Sequence, residues 1–356
     1  MGKERYKVIQ KNNWRTICLL VGLCAVLVLS ACGGTAEVAP AEEESEEGTA
    51  ANDEITEITV MLDWVPNTNH TGLYVAQEKG YFAEEGLEVE IATPGETSAN
   101  QIVGTGEAEF GISSQEFVTQ ARAEGIPIVS IAAILQHNTS GFAAPQEKNI
   151  TSPKDFVGKT YGGWGAPIEI AFLKTVLHMD GVQVDNVEDE VNVVNVGQAD
   201  FFTATERDID FQWIYYGWTG IEAELRDYPI DMIYLNELDP VLDFYTPTMI
   251  TNESMIDDNP ETVEKFMRAV SKGYAFAIDQ PDEAADILIE ATPEADPELI
   301  RASQVWMSER YRDDAQTWGI QDEQIWLDFT DWMVEHALIE TSIDAKEAFT
   351  NDFLPE

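Results

Sequence analysis

Residues 62–72, with the sequence LDWVPNTNHTG, are the stretch that decides the fold. The apolar run 58–62 is typical of a short buried strand, and Pro66-Asn67 is typical of a turn. A helical pattern begins at residues 69–71. In open α/β sheets, ligands bind beyond the carboxyl ends of strands, often against helix N-termini. The stretch therefore predicts a strand, a turn and a helix, with a ligand site in the turn.

Outward from this stretch, short apolar strands alternate with helical patterns, and the chain ends in a mainly helical tail. Such alternation is typical of an α/β fold with a largely parallel sheet. We predict two α/β lobes, one formed by residues 57–140 and 248–356 and the other by residues 141–247. The chain is expected to cross between the lobes near residues 139–146 and again near 243–248. The tail helices are expected to pack on the first lobe.

Three side chains of the deciding stretch are candidate ligand contacts. Trp64 offers a flat stacking face, and Asn67 and His70 offer hydrogen-bonding groups of both polarities. A purely structural alternative is that Trp64 packs in the core and Asn67 caps the turn. A further turn, YGGWGAP at residues 161–167, would let the backbone approach a ligand closely through its glycines.

Aromatic residues are concentrated in a second stretch, FQWIYYGW at residues 211–218, which has five aromatics in eight residues. Its pattern also predicts the end of a strand, and the residues that follow show a helical pattern. Aromatic side chains grouped at such a turn are suited to holding a planar ligand between rings. Glu222 in the following helix could accept hydrogen bonds from N–H groups on the edge of a planar ligand. The alternative is a solvated first-turn glutamate that the helix dipole favours.

The N-terminus has the features of an export signal. Basic residues precede residues 17–29, a 13-residue run without charge, which is shorter than the ~20 residues of a membrane-spanning helix. The run ends in LSAC, which looks like a bacterial lipobox, so residues 1–31 are predicted to be a lipoprotein signal peptide with lipidation at Cys32. An ordinary N-terminal membrane anchor is the alternative. Residues 32–56 are predicted to be an acidic, disordered tether.

Composition excludes several classes of function. The chain has 20 Lys and Arg against 66 Asp and Glu, a net charge of −46, which argues against nucleic-acid binding. Its four histidines show no HExxH spacing, and cleavage before Cys32 would leave no other cysteine. We therefore expect no metal site, no cofactor and no catalytic centre.

Several motifs together resemble one family, the formylaminopyrimidine-binding lipoproteins of the sulfonate and thiamine-precursor solute-binding superfamily. The similarity covers residues 57–354, and the Trp-Pro-Asn-x-x-His string is specific to the pyrimidine branch. The motifs that carry it are WVPNTNHTGLYVA at 64–76, KGYF at 79–82, FGIS at 110–113, QHNTSGF at 136–142, TYGGWG at 160–165, YGWTGIE at 216–222, LDP at 238–240 and TP at 246–247.

The resemblance implies a two-lobed periplasmic-binding-protein fold with two crossovers that closes like a clamshell on a small pyrimidine. It implies a monomer, lipid-anchored on the extracytoplasmic face of the cell membrane, that delivers this ligand to an ABC permease for thiamine salvage. It also implies a set of ligand contacts, by position in the matching motifs: Trp64, Asn67, His70, Ser113, Ser114, Trp164, Tyr216, Trp218, Glu222 and Tyr245.

Other functions of the same fold remain as alternatives. Riboflavin, thiamine and alkanesulfonates are alternative ligands, although a sulfonate site would need Arg or Lys and the turns named above have neither. A fungal relative is a pyrimidine-synthesising enzyme whose catalytic Lys, His and cysteine cluster align with Ser113, Phe117 and residues 243–246. These departures argue against that activity.

Overall fold

The computed structural model describes residues 55–95, 97–197 and 199–355. The predicted signal peptide, the lipidation site Cys32 and nearly all of the predicted tether lie outside these residues. Thr56, which we assigned to the tether, is instead the first residue of a strand. Among the helices in these three ranges, none combines the length and the apolar character that a membrane-spanning helix needs.

The first lobe is built on a five-stranded sheet in the order β2-β1-β3-β10-β4. β1 pairs in parallel with β2 and β3, whereas β10 pairs antiparallel with β3 and β4. The sheet is mixed because the returning chain enters β10 from the other lobe. The elements up to β4 are β1 (Thr56–Met61), α1 (Thr71–Glu78), α2 (Tyr81–Glu84), β2 (Leu87–Ala92), α3 (Ala99–Thr105), β3 (Phe110–Ser113), α4 (Gln115–Ala123) and β4 (Ile128–Ala133).

The second lobe contains an antiparallel sheet in the order β8-β5-β9 and a parallel pair β6-β7. Its buried core includes Phe142, Phe156, Tyr161 and Phe211, whose rings pack against one another. Its elements are β5 (Ser140–Pro145), β6 (Thr160–Gly163), α5 (Pro167–Met179), β7 (Asn192–Asn195), α6 (Phe201–Thr205), β8 (Gln212–Tyr215), α7 (Ile221–Leu225), β9 (Ile230–Tyr234) and α8 (Leu235–Leu238).

Residues 139–146 were predicted to be a crossover, and this was wrong. All but the ends of this segment form β5, the central strand of the second sheet, and every residue of the strand is buried. The chain therefore crosses between the lobes just before it, after β4. The small residues of SGFAAP are weak strand formers, and pairing on both sides stabilises them here.

The C-terminal tail returns through β10 and packs on the first lobe, but one helix also reaches the second. Phe329 and Trp332 of the tail stack with Phe172 and Phe244 in the second core. The sequence pattern did not predict this contact. The tail elements are β10 (Thr248–Asn252), α9 (Glu253–Asp258), α10 (Pro260–Asp279), α11 (Pro281–Ala291), α12 (Pro297–Ser308), α13 (Glu323–Glu335) and α14 (Ala345–Ala348).

Candidate functional site

The turn after β1 holds its own polar side chains. The Asn67 side chain accepts from the Asn69 amide at 2.8 Å and donates to the Val65 carbonyl at 3.0 Å. His70 is 0% exposed; its Nδ1 accepts from the Asn67 amide at 3.2 Å, and its Nε2 lies 2.8 Å from Asp63 Oδ1. With Nδ1 accepting, Nε2 carries the proton that Asp63 accepts. Both predicted residues therefore shape the turn, and His70 orients Asp63.

Two indole rings, one on each lobe, remain open to solvent. Trp64 follows β1 and is 48% exposed, and Trp164 follows β6 and is 39% exposed. Trp164 stacks on Trp213, with ring centroids 4.8 Å apart and planes 25° apart. Exposed tryptophans are unusual because each leaves a large apolar area in water. These rings can therefore serve as stacking faces for a planar ligand.

The turn that carries Trp164 is organised by one buried carboxylate. Glu169 accepts hydrogen bonds from the backbone amides of Trp164, Gly165 and Ala166, at 3.2, 2.8 and 2.8 Å, and from the Tyr161 hydroxyl at 2.6 Å. Gly165 has φ +94°, which favours glycine. This network fixes the backbone of the turn that carries Trp164.

The junction of β3 and α4 brings serines and a carboxyl to the first lobe's edge. Ser113 and Ser114 are buried, as is Glu116 in the first turn of α4. Burial raises the pKa of Glu116 to about 7, although a hydrogen bond from Ser114 opposes the shift, and the charge of Asp63 adds to it. The carboxyl is therefore close to half protonated near neutral pH.

A π-helical turn at Tyr216–Gly220 follows β8. The turn directs the aromatic side chains of this stretch to different surroundings. Tyr215 and Trp218 line a cavity of about 20 Å³ together with Asn67 and Thr139, which is room for about one water. Burial raises the pKa of Tyr215, and its hydroxyl bonds to Thr246 on the second crossover. A ligand larger than water therefore needs the lobes to separate.

Of the ten predicted contacts, only Asn67 and Trp218 line this cavity. Three of the other eight have partners elsewhere. Tyr216 packs between Tyr234 and Trp306. Glu222 forms an ion pair with Arg226 one turn along α7. Tyr245 is buried, and its hydroxyl accepts from the backbone amide of residue 322 at 2.8 Å; burial raises its pKa to about 12.

The structure places at this site four residues that we did not predict: Asp63, Glu116, Trp213 and Tyr215. Asp63, Trp213 and Tyr215 belong to stretches that the sequence had already marked by motif or by aromatic content. Glu116 lies in the first turn of α4, a position where acidic residues are common. Its burial near Asp63 and Tyr215 is not revealed by any local pattern.

A second cavity, of about 260 Å³, lies beside the crossovers and is lined by His137, Tyr234, Trp306 and Arg310 among others. Hydrogen bonds to Asp243 and Asp314 raise the pKa of His137 to about 9. His137, Asp313 and Asp314 could each offer one atom to a metal ion, because these atoms lie within 4.8 Å of one another. Both ring nitrogens of His137 are already hydrogen-bonded, Nδ1 to Asp243 and Nε2 to Asp314, so a metal ion would have to replace one of these bonds.

Two α/β lobes joined by two crossovers define the periplasmic-binding-protein fold. The aliphatic sulphonate binding protein SsuA from Escherichia coli has this fold and superimposes with a TM-score of 0.66 at 12% identity, over 84% of this chain and 94% of that one. A family model described as NMT1/THI5 like matches residues 67–284. The chain belongs to the NMT1/THI5-like family.

Curated relatives of this chain carry three different descriptions. A formylaminopyrimidine-binding protein from Halalkalibacterium halodurans is 31% identical over 96% of this chain and 99% of its own length. The riboflavin-binding protein RibY from Chloroflexus aurantiacus is 27% identical over 95% and 97%. A 4-amino-5-hydroxymethyl-2-methylpyrimidine phosphate synthase from Legionella pneumophila is 26% identical over 84% and 92%. The first two are binding proteins by name, and the third is an enzyme.

Proposed function

We propose that the protein is the extracytoplasmic solute-binding component of an ABC importer and captures a thiamine pyrimidine precursor, formylaminopyrimidine or hydroxymethylpyrimidine. The observation that carries this proposal is a solvent-exposed tryptophan on each lobe, Trp64 and Trp164, together with the buried carboxyl of Glu116, whose pKa responds to the charge of Asp63. Planar rings with N–H donors suit such a site. The 31% identity to a formylaminopyrimidine-binding protein over nearly the full length of both chains supports the same ligand class.

Ligand capture would proceed by closure of the two lobes. The open state is populated without ligand, and the ligand stabilises the closed state by bridging both lobes. Trp64 would cover the pyrimidine from the first lobe and Trp164 from the second. Glu222 would read the amino edge, exchanging its bond to Arg226 for one to the ligand. Ser113, Ser114, Tyr216, Trp218 and Tyr245 complete the proposed site.

The N-terminal features support lipid attachment at Cys32, which would hold the protein at the membrane; we propose that it acts there as a monomer and passes its ligand to a permease. Two or more acyl chains anchor a protein durably, at about 0.8 kcal/mol per buried methylene. A Cys32→Ser variant is expected to leave the membrane fraction. Unchanged retention in that fraction would refute the lipid anchor.

Three other functions are weaker candidates. Riboflavin is suggested by the RibY relative, which is less similar than the formylaminopyrimidine-binding protein. Enzymatic synthesis of a pyrimidine is suggested by the synthase relatives. We propose that this chain is not such an enzyme, because the fungal catalytic lysine and histidine align with Ser113 and Phe117. An alkanesulfonate is disfavoured because, in the described chain, the small cavity has no basic residue in its lining.

The test is a thermal melt of the chain that begins at residue 32 with Cys32→Ser. Formylaminopyrimidine, hydroxymethylpyrimidine, thiamine, riboflavin and taurine are added in parallel. A ligand at 100 times its dissociation constant stabilises by ~2.7 kcal/mol, which is several degrees for a protein of this size. A shift with the pyrimidines alone supports the proposal. A shift with riboflavin alone, or with none of the five, refutes it.

A further inference from the structure

Glu116 is a buried carboxyl at the edge of the first lobe that faces the second. It is 2% exposed, and one side-chain hydrogen bond, from Ser114, reaches it. Within residues 55–95, 97–197 and 199–355, its Oε2 atom has no hydrogen-bond partner. Buried carboxylates are normally paired with a cation or satisfied by several donors. Glu116 therefore has an unused acceptor in the neighbourhood of Asp63 and Tyr215.

The titratable groups that act on Glu116 come from both lobes. Asp63, after β1, contributes a negative charge, and Tyr215, on β8, feels the charges of both acids. Asp63 is in turn bonded to His70. No lysine or arginine of the described chain contributes to the pKa shift of Glu116. The local charge is therefore negative, and no group of the described chain donates a hydrogen bond to Glu116 Oε2.

We propose that Glu116 determines specificity in the pyrimidine site, where its Oε2 accepts a hydrogen bond from an N–H group of the ligand. An ionised carboxylate is an acceptor only, and its hydrogen bonds from N–H groups are strong. Asp63 and Glu116 together repel anions, so the site selects a neutral base with amino or amide N–H groups over a phosphate ester or a sulfonate. This inference rests on the proposed function, and it adds that the site discriminates against anionic ligands.

The proposal predicts that ligand binding is coupled to the protonation state of Glu116. Free Glu116 has a pKa of about 7, and an N–H donor favours the ionised form, so the bound pKa is lower. The ligand consequently binds more tightly above the free pKa and loses affinity as the pH falls below it. At a pH below 7, binding releases a proton.

The experiment is a calorimetric titration of the full-length protein in detergent with formylaminopyrimidine between pH 5.5 and 8.5, in two buffers of different ionisation enthalpy. For the wild type we expect proton release at pH 6 and about a tenfold gain in affinity between pH 5.5 and 8. In Glu116→Gln the pH dependence disappears, and affinity at pH 8 falls about tenfold. Glu124→Gln, an exposed glutamate after the same helix, should behave as the wild type.

Two further measurements keep the proposal testable if Glu116→Gln does not fold. Asp63→Asn keeps an oxygen for His70 but removes the charge beside Glu116, so the midpoint of the pH profile should move to lower pH. The wild type should bind hydroxymethylpyrimidine at least tenfold more tightly than its phosphate ester. An unshifted midpoint, or equal affinity for the ester, overturns the proposal.

The outcomes also separate this inference from the proposed function. If the wild type binds the pyrimidine but Glu116→Gln has the same affinity and pH profile, Glu116 is outside the site and only this inference fails. If the wild type binds neither pyrimidine at any pH, both fail.

Discussion

At the scale of single residues, side chains in one short motif perform different tasks. His70 has both ring nitrogens engaged inside the protein, so it cannot present a free donor or acceptor without breaking an existing bond. Trp64, six residues earlier, has nearly half of its surface in water. The histidine thus positions Asp63 and the tryptophan is available to the ligand. A motif residue can matter to binding without touching the ligand.

Trp64→Ala is expected to weaken pyrimidine binding about three- to tenfold. Stacking contributes about 0.5–1.5 kcal/mol beyond buried area, and 1.4 kcal/mol corresponds to a factor of ten. The melting temperature should change little because the ring is largely exposed. Isothermal calorimetry measures the affinity, with exposed Val157→Ala as the control. An unchanged dissociation constant would remove Trp64 from the site.

Glu222→Gln is expected to weaken binding of an aminopyrimidine strongly and of riboflavin little, because the amide cannot supply two carboxylate acceptors. Loss of its bond to Arg226 should hardly affect stability, since exposed helix pairs contribute about 0.3–0.5 kcal/mol. Glu206→Gln, an exposed glutamate after α6, is the control. Equal pyrimidine affinity in variant and parent would show that Glu222 does not contact the ligand.

At the scale of elements, turns at strand ends carry the site, and each has its own support. The turn after β6 depends on Glu169, which binds three successive amides and one hydroxyl. The π-helical turn after β8 directs Trp218 towards the small cavity and Tyr216 towards Trp306. Neighbouring aromatic residues therefore face different surroundings. The local winding of the chain decides which of them can reach a ligand.

Glu169→Gln is expected to lower the free energy of unfolding by about 1–3 kcal/mol. The amide would turn an N–H group towards backbone donors and leave buried groups unpaired. Ligand affinity should fall as well, because Trp164 loses its fixed position. Urea denaturation measures the stability, with exposed Glu188→Gln as the control. A variant as stable as the control would show that the turn is held by other contacts.

At the scale of the whole molecule, the two crossovers are joined to each other. His137 Nδ1 lies 2.6 Å from Asp243 Oδ2, and the Asn138 amide donates to Asp243 Oδ1 at 2.8 Å. The Asn138 side chain also donates to the Leu242 carbonyl at 2.8 Å. These bonds hold the two connections side by side where the lobes hinge. The two crossovers are therefore held together by the contact between His137 and Asp243 as well as by hydrogen bonds that involve the backbone.

Stability is expected to fall as the pH rises from 6.5 to 9, in part through His137. Its pKa is raised from 6.5 to about 9 in the folded state by the hydrogen bond to Asp243. The stabilisation is therefore complete below 6.5 and lost as the pH rises through 9. Thermal melts across this range should show a smaller decline for His137→Gln than for the wild type. His336→Gln, after α13, is the control, and parallel curves for all three proteins would contradict the prediction.

By itself, the sequence determined the alternation of strands and helices, the strand-turn-helix unit at residues 58–72 and the aromatic turn at 211–218. These features follow from local periodicity and turn chemistry, which are properties of neighbouring residues. The family resemblance was carried by the same local motifs. Tertiary structure alone decided that residues 140–145 form a strand, because their small side chains depend on partners distant in the chain.

The surroundings of the candidate site were likewise decided only by the tertiary structure. Glu116 looks like any first-turn acid until the chain buries it near Asp63 and Tyr215, which are 53 residues before it and 99 after it. That the rings of Trp64 and Trp164 are both exposed to solvent is visible only in the folded structure. Burial and electrostatic environment arise from contacts between distant segments, and such contacts leave no periodic trace in the sequence.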